Sequence, residues 1–313
     1  MNIAVLDDYQ NVALELADWS PLEERGATIT VFNDHVSDPD AVVERLLPFD
    51  VVCVMRERTP LPRAIIERLP RLKLIASTGA RNASIDMAAA AERGIEIAAT
   101  GYFAEPTVEH TWALILAGAR QVPAESAAVR SGRWQETIGD DLAGKTLAIL
   151  GLGRIGGKVA AIGRAFAMEV VAWSQNLTRE MAEAAGARLV DRGDLFRQAD
   201  ILTIHLVLSQ RTRGLVGAAE LSLMKPTARL VNTSRGPLVD EVALVDALRA
   251  RTIAGAALDV YDTEPLPGDH PLRTLDNVIA TPHIGYVTRG LMRTFHRDTV
   301  ENVRRWLDAH PDR

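Results

Sequence analysis

Ten consecutive residues near the middle of the chain constrain its fold more than any others. The apolar run Leu147-Ala148-Ile149-Leu150 ends directly on Gly151-Leu152-Gly153-Arg154-Ile155-Gly156, and a helix-compatible stretch, Lys158–Phe166, follows. Strand, Gly-x-Gly-x-x-Gly turn and helix together form one unit of a parallel α/β sheet. Gly151 permits the tight turn, Gly153 lets the backbone approach a pyrophosphate, and Gly156 lets helix and strand pack closely. Backbone N–H groups at the start of the helix then face the phosphate charge. A glycine-rich turn alone also occurs in unrelated α/β domains. The strand before it and the helix after it are what point to dinucleotide binding. Arg154 and Ile155 join the three glycines as candidate cofactor contacts.

The rest of the chain alternates in the same way. Short apolar runs at Ile3–Leu6, Thr28–Phe32, Val51–Met55, Leu72–Ala76 and Ile95–Ala98 read as strands, with amphipathic stretches such as Pro39–Leu47 and Pro62–Leu69 between them. Strands buried on both faces read as nearly continuous Val, Ile and Leu, which is the pattern of a parallel sheet. Residues 1–99 thus form a small parallel α/β domain. A long helix begins near Pro106, and the polar, glycine-containing segment Arg130–Lys145 reads as a connection. A second series of strands follows at Thr146–Leu150, Glu169–Trp173, Ile201–Ile204, Arg229–Asn232, Ile253–Leu258 and Val278–Ala280, and a proline-free, helix-compatible segment runs from Val287 to Asp308.

Composition removes several alternatives. Apolar residues make up 47% and charged residues 24%, close to the globular average, so disorder is out. A net charge of −6 argues against a nucleic-acid surface. The single cysteine, Cys53, can make neither an internal disulfide nor a thiolate metal cage, and lies in an apolar run where a core role suits it. The N-terminus has no basic region ahead of its short apolar run, and no stretch approaches about 18 uninterrupted apolar residues. The expectation is a soluble, cytoplasmic globular protein.

The strand after the glycine turn, Glu169–Trp173, ends near the adenosine ribose. NAD-selective sites usually place Asp or Glu roughly 20 residues past the glycines, to bind the ribose hydroxyls. Here Ser174-Gln175-Asn176 stands at that distance. No carboxylate repels a 2′-phosphate, and the nearest arginine, Arg179, does not follow directly. The cofactor is NAD or NADP, with NADP expected to serve at least comparably.

Three further segments complete a pattern: Leu230-Val231-Asn232-Thr233-Ser234-Arg235-Gly236-Pro237-Leu238-Val239-Asp240-Glu241, Ala257-Leu258-Asp259-Val260-Tyr261-Asp262-Thr263-Glu264-Pro265-Leu266, and Ile279-Ala280-Thr281-Pro282-His283-Ile284-Gly285. With the glycine turn, their order and spacing resemble the D-isomer-specific 2-hydroxyacid dehydrogenases, which include glyoxylate and hydroxypyruvate reductases and phosphoglycerate dehydrogenases. The resemblance covers nearly the whole chain. It implies two parallel-sheet Rossmann-like domains with the active cleft between them. Residues 1–99 with about 287–313 would form the substrate domain, and about 100–286 the dinucleotide-binding domain. Periodicity alone does not show that return of the C-terminus.

Carried over, Arg235, Glu264 and His283 match the family's catalytic arginine, glutamate and histidine. The chemistry asks for these types. Guanidinium grips the oxygens of a 2-oxo acid with two parallel hydrogen bonds. Hydride delivery creates an alkoxide that needs a proton donor able to change charge near neutral pH, which suits histidine. A carboxylate on the other ring nitrogen fixes the tautomer. Singly, each has a plainer reading: a solvated arginine, a Glu-Pro turn, a packed histidine. Their joint occurrence in these contexts carries the assignment, and no metal is called for.

The resemblance also matches Asp259 to the nicotinamide-carboxamide aspartate, with Thr233 as a backbone partner. His205, in Thr203-Ile204-His205-Leu206-Val207-Leu208-Ser209, is either a cofactor wall or a polar cap on a strand end. Family members usually carry proline where Val207 stands. In the first domain, Thr78-Gly79-Ala80-Arg81-Asn82 falls at the family's substrate loop, whose amides, here those of Gly79 and Ala80, receive the substrate carboxylate. Family members commonly have glycine in place of Arg81 and aspartate in place of Ala83. Arg56, in Met55-Arg56-Glu57-Arg58-Thr59, is either a substrate contact or half of a surface salt bridge. The function implied is hydride transfer between a nicotinamide cofactor and a 2-oxo acid/D-2-hydroxy acid pair, in a homodimer acting on a small molecule, with no nucleic-acid or membrane partner. The alternative is a corepressor-like, dinucleotide-sensing binding protein of the same fold. Which oxo acid is used is not written in these motifs.

Overall fold

Apolar runs with no polar side need cover on both faces, and both sheets of this protein obtain it. The structure, a computed structural model, describes residues 1–311. It divides into two compact units, Met1–Phe103 with the stretch from Val287 onward, and Ala104–Tyr286.

The first unit holds five strands, β1 (Asn2–Val5), β2 (Thr28–Val31), β3 (Val51–Val54), β4 (Leu74–Ser77) and β5 (Glu96–Ala99), all parallel in the order β2-β1-β3-β4-β5. Alternate residues serve opposite faces. Ala4, Val52, Val54 and Ile75 pack against Val42, Val43 and Leu46 of the helix Pro39–Leu46 and Ile65 and Ile66 of the helix Arg63–Ile66. Ile3, Val5, Val51, Cys53 and Leu74 face Trp19, Leu22 and the C-terminal helix Arg289–Ala309, which contributes Val300, Val303 and Trp306. Burial pushes the Cys53 thiol up to about 12, so it stays a neutral core side chain. The terminal helix is fixed to the sheet edge by Trp306 Nε1 donating to Glu96 (3.0 Å) and Asn302 Nδ2 donating to the Ala99 carbonyl (3.0 Å). Phe295 and Val303 are fully buried, each contributing about 1.5–3 kcal/mol.

The second unit holds seven parallel strands: β6 (Thr146–Leu150), β7 (Glu169–Trp173), β8 (Arg188–Leu189), β9 (Ile201–Ile204), β10 (Arg229–Asn232), β11 (Gly255–Leu258) and β12 (Val278–Ala280). Their order is β12-β11-β10-β9-β6-β7-β8. The chain runs from β6 outward to β8, then returns to the other side of β6 as β9. The crevice beyond the carboxyl ends of β6 and β9 is therefore a topological switch point, where doubly wound sheets bind ligands. Gly151 and His205 emerge there side by side, with the His205 amide donating to the Leu150 carbonyl (2.8 Å).

Two elements were not visible in the sequence. The edge strand β8 is two residues long and carries Arg188, so it has no apolar run to reveal it. Val122–Arg130, to which the sequence reading assigned no element, is a helix with proline in its first turn, and the irregular connection expected from Arg130 follows it. Among the described residues, no helix is long and apolar enough to cross a membrane.

Candidate active site

The glycine turn has the stereochemistry that a phosphate cradle needs. Gly151 has φ +106°, donates its amide to the Trp173 carbonyl (2.9 Å), and lies so close to His205 that a Cβ would sit 2.7 Å from its carbonyl carbon. A Cβ on Gly156 would lie 2.2 Å from the Gly151 oxygen, so only glycine lets the helix Arg154–Ala165 start this close to the turn. Gly153 is different: a Cβ there would meet nothing within 4 Å. The open side of the turn, at the exposed Gly153 and Arg154, could hold a pyrophosphate, while Ile155 turns toward the core. The expected results diverge accordingly. Gly156→Ala should destabilise the cofactor-free protein by about 1–3 kcal/mol through overpacking, read by denaturant unfolding. Gly153→Ala should leave that stability unchanged and weaken NADH binding, read by nicotinamide fluorescence.

Because Gly151 bonds to Trp173, Ser174 is held beside the turn, half-buried, with Gln175 and Asn176 exposed after it. The His205 ring folds back on its own strand, Nε2 lying 2.9 Å from Thr203 Oγ1. Burial drives this imidazole down to about 3, so it is neutral at physiological pH.

Three adjacent strands, β10, β11 and β12, run parallel and release their loops at one edge of the sheet. Those loops carry Arg235, Glu264 and His283. His283 Nδ1 lies 2.5 Å from Glu264 Oε2, and its ring meets Tyr286 edge-to-face at 5.6 Å. Glu264 is itself aimed by the Tyr261 amide, which donates to its Oε1 (2.9 Å). Arg235 follows β10 in a loop braced by Asn232, whose Nδ2 donates to the Arg235 carbonyl (2.9 Å) and whose Oδ1 accepts from the Ser234 amide (3.0 Å). Gly236 seats that loop against the next one, since a Cβ would fall 2.0 Å from the Tyr261 carbonyl carbon. Thr233 points inward, its hydroxyl 2.8 Å from that of Thr111.

Asp259 is 1% exposed, and its carboxylate organises the turn that bears His283. Oδ1 accepts from Thr281 Oγ1 (2.6 Å) and the Ile284 amide (2.9 Å), and Oδ2 from the Gly285 amide (2.8 Å). His110 Nε2 lies 3.2 Å from Oδ1. Burial raises this carboxyl, but the bonds from His110, Thr281 and the Ile284 backbone outweigh it and hold it below the usual carboxylate range. The sequence reading missed His110, a lone histidine in an apolar helix with no neighbouring motif to single it out.

In the first unit, Arg56 and the Thr78–Asn82 loop form one assembly. Arg56 has a left-handed backbone, φ +54°, held by its amide donating to Thr78 Oγ1 (2.7 Å) and its carbonyl accepting from Asn82 Nδ2 (2.6 Å). Its guanidinium donates to the Thr78 carbonyl (3.1 Å) and lies where a side chain on Gly79 would be, with Glu57 farther away at 3.7 Å. A surface salt bridge is thus the lesser part of its environment. Gly79 departs from the expected cradle: its amide donates to Thr100 Oγ1 (2.8 Å), so it is engaged within the protein, whereas Ala80 is exposed. Arg81 and Ala83, where this loop departs from the family pattern, are both exposed.

A sequence profile described as the NAD binding domain of D-isomer specific 2-hydroxyacid dehydrogenase matches residues 112–285. The chain belongs to that family. It is 46% identical to the glyoxylate reductase of Aeropyrum pernix over 249 residues, which is 76% of this chain and 74% of that one. It is 38% identical to the D-3-phosphoglycerate dehydrogenase of Methanocaldococcus jannaschii over 272 residues, 86% of this chain and 52% of the relative. The chain thus spans about half the length of that dehydrogenase. The solved structure of a phosphoglycerate oxidoreductase from Vibrio cholerae O395 superimposes with a TM-score of 0.94 at 38% identity, covering 99% of each chain. As a 2-hydroxyacid dehydrogenase, the protein is an NAD-binding oxidoreductase, and the matched profile covers the glycine turn and the loops of Arg235, Glu264 and His283.

Proposed function

We propose that this chain reduces a 2-oxo acid reversibly to the D-2-hydroxy acid, with His283 as proton donor, Glu264 as its support and Arg235 as the group that orients the oxo acid. The observation that carries this reading is the His283–Glu264 pair on loops adjoining the Arg235 loop, at the same sheet edge as the glycine turn. NADH or NADPH, when bound, supplies the hydride. Gly151, Gly153, Arg154, Ile155 and Gly156 would hold its pyrophosphate, with Ser174 at the ribose and His205 and Thr233 lining the remainder. Asp259 departs from the expected carboxamide contact, because it is buried and its carboxylate is taken up by the Thr281–Gly285 turn, which it holds in place. Glu264 occupies His283 Nδ1, which leaves Nε2 as the nitrogen that delivers the proton to the forming alkoxide. In the first unit, Arg56 and the exposed backbone at Ala80 are the proposed contacts for the substrate carboxylate. Gly79 serves there by making room for the Arg56 guanidinium. An initial-rate screen of glyoxylate, hydroxypyruvate, pyruvate and bulkier 2-oxo acids tests the reading, and no turnover with any of them would defeat it.

Cofactor choice follows from Ser174. Hydroxyl and amide groups can hydrogen-bond either a ribose hydroxyl or a phosphate oxygen, and no carboxylate is present to repel NADP. The protein should use NADPH at least comparably to NADH. Ser174→Asp should shift the ratio of catalytic efficiencies toward NADH, by roughly tenfold or more if the new carboxylate adds about 1.4 kcal/mol of discrimination. A wild type strongly selective for NADH, with an unmoved ratio in the variant, would show that these residues do not face the ribose.

The homodimer belongs to the same reading. Val122, Val129, Trp134 and Ile138 remain exposed in one stretch of the second unit, Trp134 by 76% and Ile138 by 96%, as large apolar side chains rarely do without a partner. Light scattering that returns a monomer mass at micromolar concentration would count against it.

A further inference from the structure

We propose that His110 is a positioning residue for the proton-donating histidine, acting through the Asp259 carboxylate on which the Thr281–Gly285 turn is hung. This rests on the reading of His283 as the acid. His283 lies inside that turn with φ +53°, a left-handed conformation that a residue with a side chain keeps only where its surroundings hold it. They hold it through Asp259: Thr281 precedes His283 and Ile284 and Gly285 follow it, and all three donate to the same carboxylate. The turn is also seated closely, since a Cβ on Gly285 would lie 2.9 Å from Asp259 Oδ2 and 3.5 Å from His110 Cδ2.

A carboxylate buried this fully must stay ionised to accept from two backbone amides and a hydroxyl at once. Three of its donors come from the turn, and His110 comes from elsewhere, the helix Glu105–Ala119. Its Nε2 lies 3.1 Å from Thr281 Oγ1 and 3.2 Å from Asp259 Oδ1. Thr281 has one hydroxyl proton and directs it to Asp259 at 2.6 Å. Nε2 therefore faces two oxygens that can only accept from it, which fixes the proton on Nε2. His110 ties the carboxylate, and with it the turn, to the body of the unit. The helix does not depend on that bond for its own place. Val108, Trp112 and Ile115 are buried in the core, and the Thr111 hydroxyl pairs with Thr233.

The comparison is His110→Leu, which keeps bulk and loses the donor, against His110→Gln, which keeps an N–H donor. Two readouts are taken: amide hydrogen exchange at Ile284 and Gly285 in the protein without ligands, and kcat and KM with NADH and the oxo acid that wild type reduces. His110→Leu should lower kcat about 10- to 10²-fold through misplacement of the acid. It should also speed exchange at both amides by at least about tenfold, a loss of roughly 1.4 kcal/mol of protection, with KM for NADH little changed. His110→Gln should recover most of both losses. The proposal is overturned if Leu leaves exchange and kcat unchanged, or if Gln loses as much as Leu, which would make bulk rather than the donor decisive. Should the Leu variant not fold, His110→Met against His110→Gln carries the same comparison. The exchange measurement needs no turnover, so a wild type inactive on every 2-oxo acid would defeat the functional reading while His110 was still decided.

Discussion

Replacing His283 with alanine is expected to lower kcat by about 10²–10⁴-fold, the usual worth of a general acid, while the affinity for NADH stays near that of wild type. The asymmetry follows from where the group acts. Proton donation is realised in the transition state, when negative charge develops on the substrate oxygen, and contributes little to ground-state binding of cofactor. The geometry makes the loss specific. His283 has one nitrogen committed to Glu264 at 2.5 Å, and Glu264 is aimed by the Tyr261 amide, so the ring is held in one tautomer with the other nitrogen available. Glu264→Gln should do less damage than His283→Ala, because an amide oxygen can still accept from Nδ1. Stopped-flow or steady-state kcat on the best 2-oxo acid, beside NADH binding by fluorescence titration, measures both halves. Near-wild-type turnover in His283→Ala would remove the histidine from the chemistry.

What was legible in the sequence divides along a physical line. Strands buried on both faces write themselves as apolar runs, so Val51–Val54, Thr146–Leu150 and Ile201–Ile204 could be read directly. The glycine turn was legible because its three glycines answer separate steric demands, two of which appear here as contacts no Cβ could tolerate, at Gly151 and Gly156. The two-residue strand Arg188–Leu189 lay below that threshold, since pairing with β7 rather than its own side chains defines it. Site residues followed the same division. Arg235, Glu264 and His283 stand in distinctive sequence contexts. His110 does not, because its meaning comes from a carboxylate 149 positions later along the chain. Gly79 shows the reverse failure. Its place in a loop that resembles the family's substrate loop was readable, but the hydroxyl of Thr100, on another strand end, takes its amide, and only the fold brings those two together.

The other large effect is expected at Arg235, where lysine keeps the charge and should still reduce kcat/KM by about 10- to 150-fold, the equivalent of losing roughly 1.5–3 kcal/mol of charge-assisted hydrogen bonding. Guanidinium presents five N–H donors in a rigid plane, and Arg235 uses that plane within its own loop. Nη1 donates to the carbonyl of Ser234 at 2.7 Å, so the head group is anchored to its own loop. That loop is fixed in turn by Asn232, by Ser234 Oγ donating to the Leu206 carbonyl at 2.6 Å, and by the close seating of Gly236 on Tyr261. An anchored plane is set in one orientation, and a planar fork matches the carboxylate and carbonyl oxygens of an oxo acid. A lysine ammonium is a point donor on a flexible stem: if it bonds to the Ser234 carbonyl it no longer presents a paired fork, and if it turns to substrate it loses the anchor. The deficit should therefore appear with every 2-oxo acid tested, in kcat and KM together, and Arg235→Gln should be worse than Arg235→Lys because it removes the charge as well. Kinetics of the two variants across the substrate panel decide the matter: a lysine variant within about threefold of wild type on all substrates would mean that Arg235 serves its own loop and not the reaction.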